Sequence, residues 1–137
     1  FPPPFISGPK IQFLDNERHK YAFIKPNFHQ AGALYDIVEP TSNVCNPAGE
    51  WNHVLLKINH LTNKGEVKLN GTKIVSFPWK GPTWDKLIEN TKFRNIEDVN
   101  YDPLFNPNFG YFDTGKIGLQ DHGDKVSYRN IKIREIK

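Results

Sequence analysis

A β-hairpin signature lies in the middle of the chain, in the stretch Glu66-Val67-Lys68-Leu69-Asn70-Gly71-Thr72-Lys73-Ile74-Val75. Asn70-Gly71 separates two runs of β-prone residues, and it suits a type I′ turn because both central positions of that turn require positive φ. The same residues begin a glycosylation sequon with Thr72, but a tight turn accounts for them without a sugar. The stretch therefore predicts an antiparallel pair of strands.

Further β-prone segments flank this hairpin on both sides. Short runs of β-branched and aromatic residues predict strands near residues 10–15, 32–39, 51–60, 65–70, 72–78, 115–121 and 125–136. One short helix is predicted over residues 82–90, with Thr83 as its cap and with Trp84, Leu87 and Ile88 on one face. Many short strands with one helix favour an all-β, antiparallel, two-sheet jelly-roll sandwich.

A second predicted hairpin, over residues 115–136, carries reactive side chains at its turn. The turn reads Asp121-His122-Gly123-Asp124, and its glycine suits positive φ. The apolar positions change phase further along the chain, so a β-bulge is predicted near residues 129–130. The turn brings carboxylates and an imidazole together, which suits a site and equally suits simple hydrogen bonding within a turn.

Length and charge restrict the class of protein. The 137 residues amount to one domain, and 18 basic against 15 acidic side chains give a net charge of +3. Because the charges are scattered singly along the chain, they argue against a nucleic-acid partner. No apolar run approaches the roughly 20 residues of a membrane-spanning helix, and the given sequence is not expected to begin with a leader in which an apolar segment follows a charged one. The single Cys45 cannot form an internal disulfide.

Polar side chains are concentrated where the first predicted strand ends. Asp15 or Glu17 is a candidate for proton transfer, His19 is a second acid or base, and Arg18 is a partner for a carboxylate or an oxyanion. The alternative is a solvated loop with a local ion pair, since charged residues are mostly exposed. Carboxylates and imidazoles also ligate metals, but no recognised ligand spacing links these residues. We therefore assign no metal, and a cofactor stays unknown.

Aromatic residues and one long segment are further candidates for a sugar site. Trp79, which follows a predicted strand, is the best candidate for an exposed stacking platform, whereas most of the other aromatic side chains are expected to pack in the core or at its edges. Residues 95–113 contain prolines and several Asn and Asp residues, and they are predicted to form a long loop. Long ordered loops often carry function, so this one is a candidate wall of a site.

Three groups of motifs resemble the 3-keto-disaccharide hydrolase family, also called DUF1080, which is abundant in Bacteroidetes. The motifs are Leu14-Asp15-Asn16-Glu17-Arg18-His19 with Ala31-Gly32-Ala33-Leu34-Tyr35-Asp36, then Pro47-Ala48-Gly49-Glu50-Trp51-Asn52 with Leu69-Asn70-Gly71, and finally residues 115–123 with Arg129-Asn130-Ile131. The resemblance implies a concanavalin-A-like jelly roll whose concave face binds carbohydrate, and export to the periplasm or cell surface. Members usually carry further strands ahead of Gly8-Pro9, so residues 1–137 are expected to be one domain that lacks its usual N-terminal strands.

The resemblance also implies the cleavage of glycosides that are oxidised at C3. The ketone acidifies the proton on C2, so a base can remove it, and the C1 substituent then leaves with help from an acid before water adds. The expected catalytic residues are Asp15, Glu17 and His122. The expected substrate-binding residues are Lys10, Gln12, Arg18, His19, Tyr35, Trp79 and Asp121.

Three other functions stay open. The family often has a glutamate where this chain has Lys10, which makes a non-catalytic carbohydrate-binding module a serious alternative. A conventional glycoside hydrolase would need paired carboxylates about 5 to 9.5 Å apart across a cleft. A structural or interaction domain is the last alternative. Clustered acids and bases would favour an enzyme, and an aromatic shelf without them would favour binding.

Overall fold

A computed structural model describes residues 7–93 and 108–136 of the chain. Its regular elements are a 3-10 helix (Lys20–Phe23), strands β1 (Val54–Asn59), β2 (Lys64–Leu69) and β3 (Thr72–Pro78), and helix α1 (Pro82–Ile88). The strands form one antiparallel sheet in the order β1-β2-β3. The regular structure of the described residues is thus mostly antiparallel sheet with one short α-helix.

The hairpin predicted from Asn70-Gly71 is confirmed. Asn70 has a φ of 49° and Gly71 a φ of 84°, so both central positions are left-handed as a type I′ turn requires. The Asn70 side chain accepts a hydrogen bond from the backbone N–H of His53 at 2.8 Å. It donates to the carbonyl of Val44 and to Oδ1 of Asn52, both at 2.8 Å. The amide is therefore fully engaged in holding the turn to the neighbouring loop.

A β-bulge in β3 directs two consecutive side chains into the core. Val67 pairs with Val75 and Lys68 with Lys73, so Ile74 is an extra residue on β3. Both Ile74 and Val75 are buried, which regular alternation would not allow.

The predicted helix is confirmed as α1, but its predicted cap is wrong. Gly81 is the N-cap, with a φ of 84° and no side-chain hydrogen bond, so Thr83 lies inside the first turn instead of capping it. Trp84 is fully buried and its ring is parallel to that of Phe109, with centroids 6.2 Å apart. The other two apolar residues predicted on this face are partly buried and pack against the same core.

The first two predicted strands are not confirmed as continuous strands. Residues 10–15 and 32–39 meet at a single bridge, between Ile11 and Leu34. The φ of Asp36 is 67°, and this left-handed residue turns the chain out of an extended path. The two segments still lie side by side, because the backbone N–H of Tyr35 donates to the carbonyl of Lys10 at 3.0 Å.

The turn of the second predicted hairpin is confirmed, but its strands are not. Gly123 has a φ of 95°, and its N–H donates to Oδ1 of Asp121 at 3.3 Å. No strand lies within residues 108–136, because none of the described segments pairs with them in a ladder, and Ile117 and Ile133 are each 77% exposed. Asn130 is left-handed with a φ of 54°, so the change of phase there is a bend of the backbone and not a bulge in a paired strand.

The two-sheet jelly roll is accordingly not confirmed. The described residues hold a single three-stranded sheet, and the core lies between that sheet, α1 and the loops around residues 31–37. Most of the predicted loop over residues 95–113 lies outside the described residues.

Candidate functional site

Two distant motifs of the sequence meet in one cluster of side chains. The Nε2 atom of His19 lies 3.0 Å from Oδ2 of Asp124. The Tyr21 ring contacts His19, with centroids 5.2 Å apart, and meets the His122 ring edge-on at 5.4 Å. We call His19, Tyr21, His122 and Asp124 the turn cluster. It places the predicted polar loop at residues 14–19 against the predicted turn at residues 121–124.

The local chain path explains how His19 reaches this cluster. His19 precedes the 3-10 helix as its N-cap, and its Nδ1 accepts a hydrogen bond from the backbone N–H of Tyr21 at 3.1 Å. Nε2 therefore carries the proton when the ring is neutral, and it donates to Asp124. Both ring nitrogens are engaged in these contacts, so His19 orients the turn.

Asp15 is engaged in a similar way. Its Oδ1 accepts from the backbone N–H groups of Glu17 and Arg18 at 2.9 and 3.2 Å, and its Oδ2 accepts from Nε of Arg18 at 2.9 Å. The hydrogen bond from Glu17 is the main reason that the pKa of the Asp15 carboxyl is lowered, and Arg18 adds to it. A carboxylate held in this way is a weak base, and its clear effect is to shape the loop before His19.

The remaining predicted residues of the two motifs lie near this loop and turn. Glu17 is exposed, and Gln12 is partly buried with its backbone bonded to Ala33. Asp121 accepts a hydrogen bond from the backbone of its own turn. His122 is exposed and contacts Tyr21, and within the described ranges no hydrogen bond engages its ring nitrogens.

A second cluster surrounds the ring of Tyr35. The Nζ atoms of Lys10 and Lys92 lie over this ring, 4.0 and 4.2 Å from its centroid. Lys92 Nζ also donates to the Tyr35 hydroxyl at 2.9 Å. The ring of His29 stacks on Tyr35 with centroids 4.5 Å apart. The pKa of Lys10 is lowered, first by burial and then by the charge of Lys92. We call Lys10, Tyr35 and Lys92 the lysine–tyrosine group.

The buried carboxylate of Asp36 holds residues of the second cluster in position. Asp36 is 5% exposed and accepts hydrogen bonds from His29 Nε2 at 2.9 Å, Lys25 Nζ at 3.2 Å and the backbone N–H of Lys92 at 3.0 Å. Burial raises the pKa of Asp36, but hydrogen bonds from Lys92, His29 and Lys25 outweigh it, so the pKa is lowered overall. Asp36 is therefore an anion that fixes the positions of its three partners.

The predicted stacking platform at Trp79 is partly buried and not openly exposed. Its ring packs between Phe77 and Trp84, with centroid distances of 6.1 and 5.8 Å, and no described residue forms a hydrogen bond with its buried Nε1. Trp51 is the more exposed indole, at 48%, and the guanidinium of Arg129 lies 3.9 Å from the centre of its ring.

The sequence profile of the 3-keto-alpha-glucoside-1,2-lyase-like domain matches residues 1–134. The chain belongs to this family. The resemblance inferred from its motifs is thereby confirmed.

One relative of the chain is the 3-keto-disaccharide hydrolase of Bacteroides thetaiotaomicron. The two are 33% identical over 135 residues, which cover 96% of this chain and 45% of the relative. The chain thus spans about half the length of that curated relative. A crystal structure of a candidate glycosyl hydrolase from Parabacteroides distasonis aligns with a TM-score of 0.62 at 23% identity, covering 80% of this chain and 46% of the other. That match supports the fold alone.

The structure adds two residues to the candidate site that the motifs did not single out, Tyr21 and Lys92. Tyr21 contacts the rings of both His19 and His122. Its position two residues after His19 is the one feature of the sequence that could have indicated this. Lys92 had no such signal, because it reaches Tyr35 from the segment after α1. Within residues 7–93 and 108–136, no group of three or more His, Cys, Asp or Glu side chains is arranged to hold a metal ion. None of the described helices is long and apolar enough to cross a membrane.

Proposed function

We propose that this chain contributes to the cleavage of glycosides that are oxidised to a ketone at C3. Family membership supports the substrate class, since the relative from B. thetaiotaomicron is named a 3-keto-disaccharide hydrolase. The observation that carries the proposal is the contact between His19 and Asp124, which holds the turn with His122 beside the loop at residues 14–19. This contact supports the proposal because it holds the candidate acid–base group His122 beside His19, which is predicted to bind substrate.

In this proposal His122 is the general base and then the general acid. Its imidazole accepts the C2 proton, which the neighbouring ketone has acidified, and the electron pair forms the enolate. The enolate re-forms the ketone as the bond from C1 to the leaving oxygen breaks, and His122 returns its proton to that oxygen. Water then adds to the unsaturated keto sugar to complete a net hydrolysis. His122 suits the role because it is exposed, and no described residue bonds its ring nitrogens.

Other predicted residues act in positioning and binding. Asp15 and His19 hold the loop and the turn in place, because their polar atoms are already engaged there. Gln12, Lys10 and Tyr35 lie on two adjoining segments and bind oxygens of the sugar in this proposal. Export to the periplasm or cell surface is part of the same proposal, and fractionation of the native host tests it.

The experiment is an assay of aglycone release from a 3-keto-glucoside and from its unoxidised parent, with and without EDTA. The proposal expects cleavage of the keto compound alone. Cleavage of the parent at a similar rate would favour a conventional glycoside hydrolase. If a folded chain cleaves neither compound but binds one of them, it is a carbohydrate-binding module. Because the chain spans about half of its relative, the assay includes the full-length protein.

A further inference from the structure

Two ammonium groups converge on one aromatic ring in the lysine–tyrosine group. Lys10 and Lys92 Nζ lie 4.0 and 4.2 Å from the centre of the Tyr35 ring. Like charges so close repel one another, and the ring face offsets only part of that repulsion. An anion between or beside the two ammonium groups would relieve it.

The described carboxylates do not supply that anion. In residues 7–93 and 108–136 no carboxylate forms an ion pair with Nζ of Lys10 or Lys92. Asp36 lies nearest along the chain, but its oxygens accept from His29, Lys25 and the Lys92 backbone N–H. Asp36 forms its ion pair with Lys25, so its negative charge does not neutralise the two ammonium groups over Tyr35.

Contacts with neighbouring residues hold the lysine–tyrosine group in a fixed geometry. Stacking on His29 fixes the plane of the Tyr35 ring, and the Asp36 carboxylate fixes His29. The backbone N–H of Lys92 is tied to Asp36, and the carbonyl of Lys10 is tied to Tyr35. Lys10 is partly buried, whereas Lys92 is exposed, so the two charges face a surface that a ligand can reach. Donors positioned in advance bind an anion at a low cost in entropy.

We propose that the lysine–tyrosine group binds an anionic substituent, a carboxylate or a sulfate, on the sugar. This inference rests on the proposed function and narrows its substrate class to acidic keto-glycosides. Lysine ammonium groups are point charges with several donors, so they accommodate either planar carboxylates or tetrahedral sulfates. His29 stacks on the Tyr35 ring and the two lysines lie over it, so the ring serves to position the ammonium groups.

Calorimetric titration of the full-length protein tests the inference. The ligands are methyl glucuronide, glucose 6-sulfate, methyl glucoside and inorganic sulfate alone, which separates an acidic sugar from a free anion. The expected result is that both acidic sugars bind at least about 10-fold more tightly than the neutral one, since a hydrogen bond to a charged group is stronger than a neutral bond. Equal binding of the acidic and neutral sugars would overturn the inference, and so would binding of inorganic sulfate as tight as that of the sugars.

Substitutions of Lys10 and Lys92 test whether these two lysines cause the preference for acidic sugars. Lys10→Gln and Lys92→Gln are each expected to weaken the binding of the acidic sugars about 10-fold more than that of the neutral sugar, whereas Lys10→Arg retains most of the preference. Lys73→Gln is the matched control, because Lys73 is exposed on β3 and belongs to neither cluster. An acidic preference that survives both glutamine variants would overturn the assignment to these lysines.

The outcome for this inference is separate from that for the proposed function. If neutral and acidic keto-glycosides are cleaved equally, the inference fails and the proposed function stands. If the acidic sugars bind through Lys10 and Lys92 but no keto-glycoside is cleaved, the anion site stands and the proposed function fails.

Discussion

Nε2 of His19 lies 3.0 Å from Oδ2 of Asp124, although the two residues come from opposite ends of the chain. The contact joins a loop that Asp15 shapes to a turn that Asp121 shapes. Local hydrogen bonds hold each of these segments together. The His19–Asp124 pair fixes the position of one segment relative to the other. Because His122 is part of the same turn, the pair also decides where its imidazole lies.

The first prediction concerns this contact. Replacing Asp124 with Ala is expected to lower kcat/KM for a 3-keto-glucoside about 10-fold or more, because a small displacement of a catalytic group is costly. The free energy of unfolding should change by less than about 1 kcal/mol, since Asp124 is 76% exposed and exposed ion pairs contribute little. Steady-state kinetics and thermal unfolding measure both quantities.

The control is Glu89→Ala, which removes an exposed carboxylate at the end of α1, outside the turn cluster and outside the predicted site. It should leave cleavage unchanged. Equal losses of activity in the two variants would show that the position of the Asp124 carboxylate does not matter.

The second prediction concerns acid stability. The pKa of Asp36 is lowered from its ordinary value of 3.8, so its contribution to stability is fully present above that value and is lost as the pH falls through the lower, folded value. Asp36→Asn should cost about 2 kcal/mol at neutral pH, because it removes the charge from a buried carboxylate with three donors. The difference between wild type and variant should shrink below pH 3.8.

Chemical denaturation between pH 2 and 7 measures that difference. A gap between the two proteins that is as large at the acid end as at neutral pH would mean that the Asp36 charge is not what stabilises this region.

The sequence correctly predicted the features that depend only on residues close together along the chain. Asn70-Gly71 predicted its turn because positive φ at both positions is a local requirement. The helix starting at Pro82 was equally local. The segments at residues 115–121 and 125–136 were predicted as strands from their alternation, but a strand also needs a neighbour, and alternation does not supply one.

In the candidate site, too, the sequence identified residues that lie in local motifs but not the contacts between distant segments. The motifs identified His19 and the turn residues, and the structure brings them into contact. Nothing in the spacing of the sequence predicted that Lys92 would lie over Tyr35, because that contact depends on how the segment after α1 packs. The bend at Asp36, which directs the chain past this group, is likewise visible only in the backbone angles.

The third prediction separates backbone strain from packing at Gly32. This residue has a φ of 86°, and an added Cβ would lie 2.3 Å from Cδ1 of Ile74. Gly32→Ala should therefore lower the free energy of unfolding by about 3 kcal/mol, through left-handed strain and overpacking together.

Gly49 is the matched control, because it has a φ of 97° with nothing within 4 Å of the added Cβ. Gly49→Ala should cost only the strain, about 1 kcal/mol. Denaturant unfolding of the two variants gives the difference. Equal costs would mean that contact with Ile74 does not limit the Gly32 position.

The fourth prediction concerns the donors of Asn70. Asn70→Asp keeps an acceptor for the His53 N–H but removes the two donors to Val44 and Asn52. Destabilisation by about 2 kcal/mol is expected, since the Val44 carbonyl loses this donor and Oδ1 of Asn52 keeps only the backbone N–H of Asn46. Asn63→Asp is the comparison, because Asn63 also has positive φ, at 50°, and is exposed. Thermal unfolding should show a markedly larger effect at Asn70, and a larger effect at Asn63 would contradict the prediction.

The most direct test of the central proposal is aglycone release from a 3-keto-glucoside and its unoxidised parent by the full-length protein and its His122→Phe variant. Phenylalanine can keep the edge-on contact with Tyr21 but cannot carry a proton. The proposal predicts that wild type cleaves only the keto compound and that the variant, while folded, is about 100-fold slower. Cleavage of the parent at the same rate, or an unchanged rate in the variant, would contradict it.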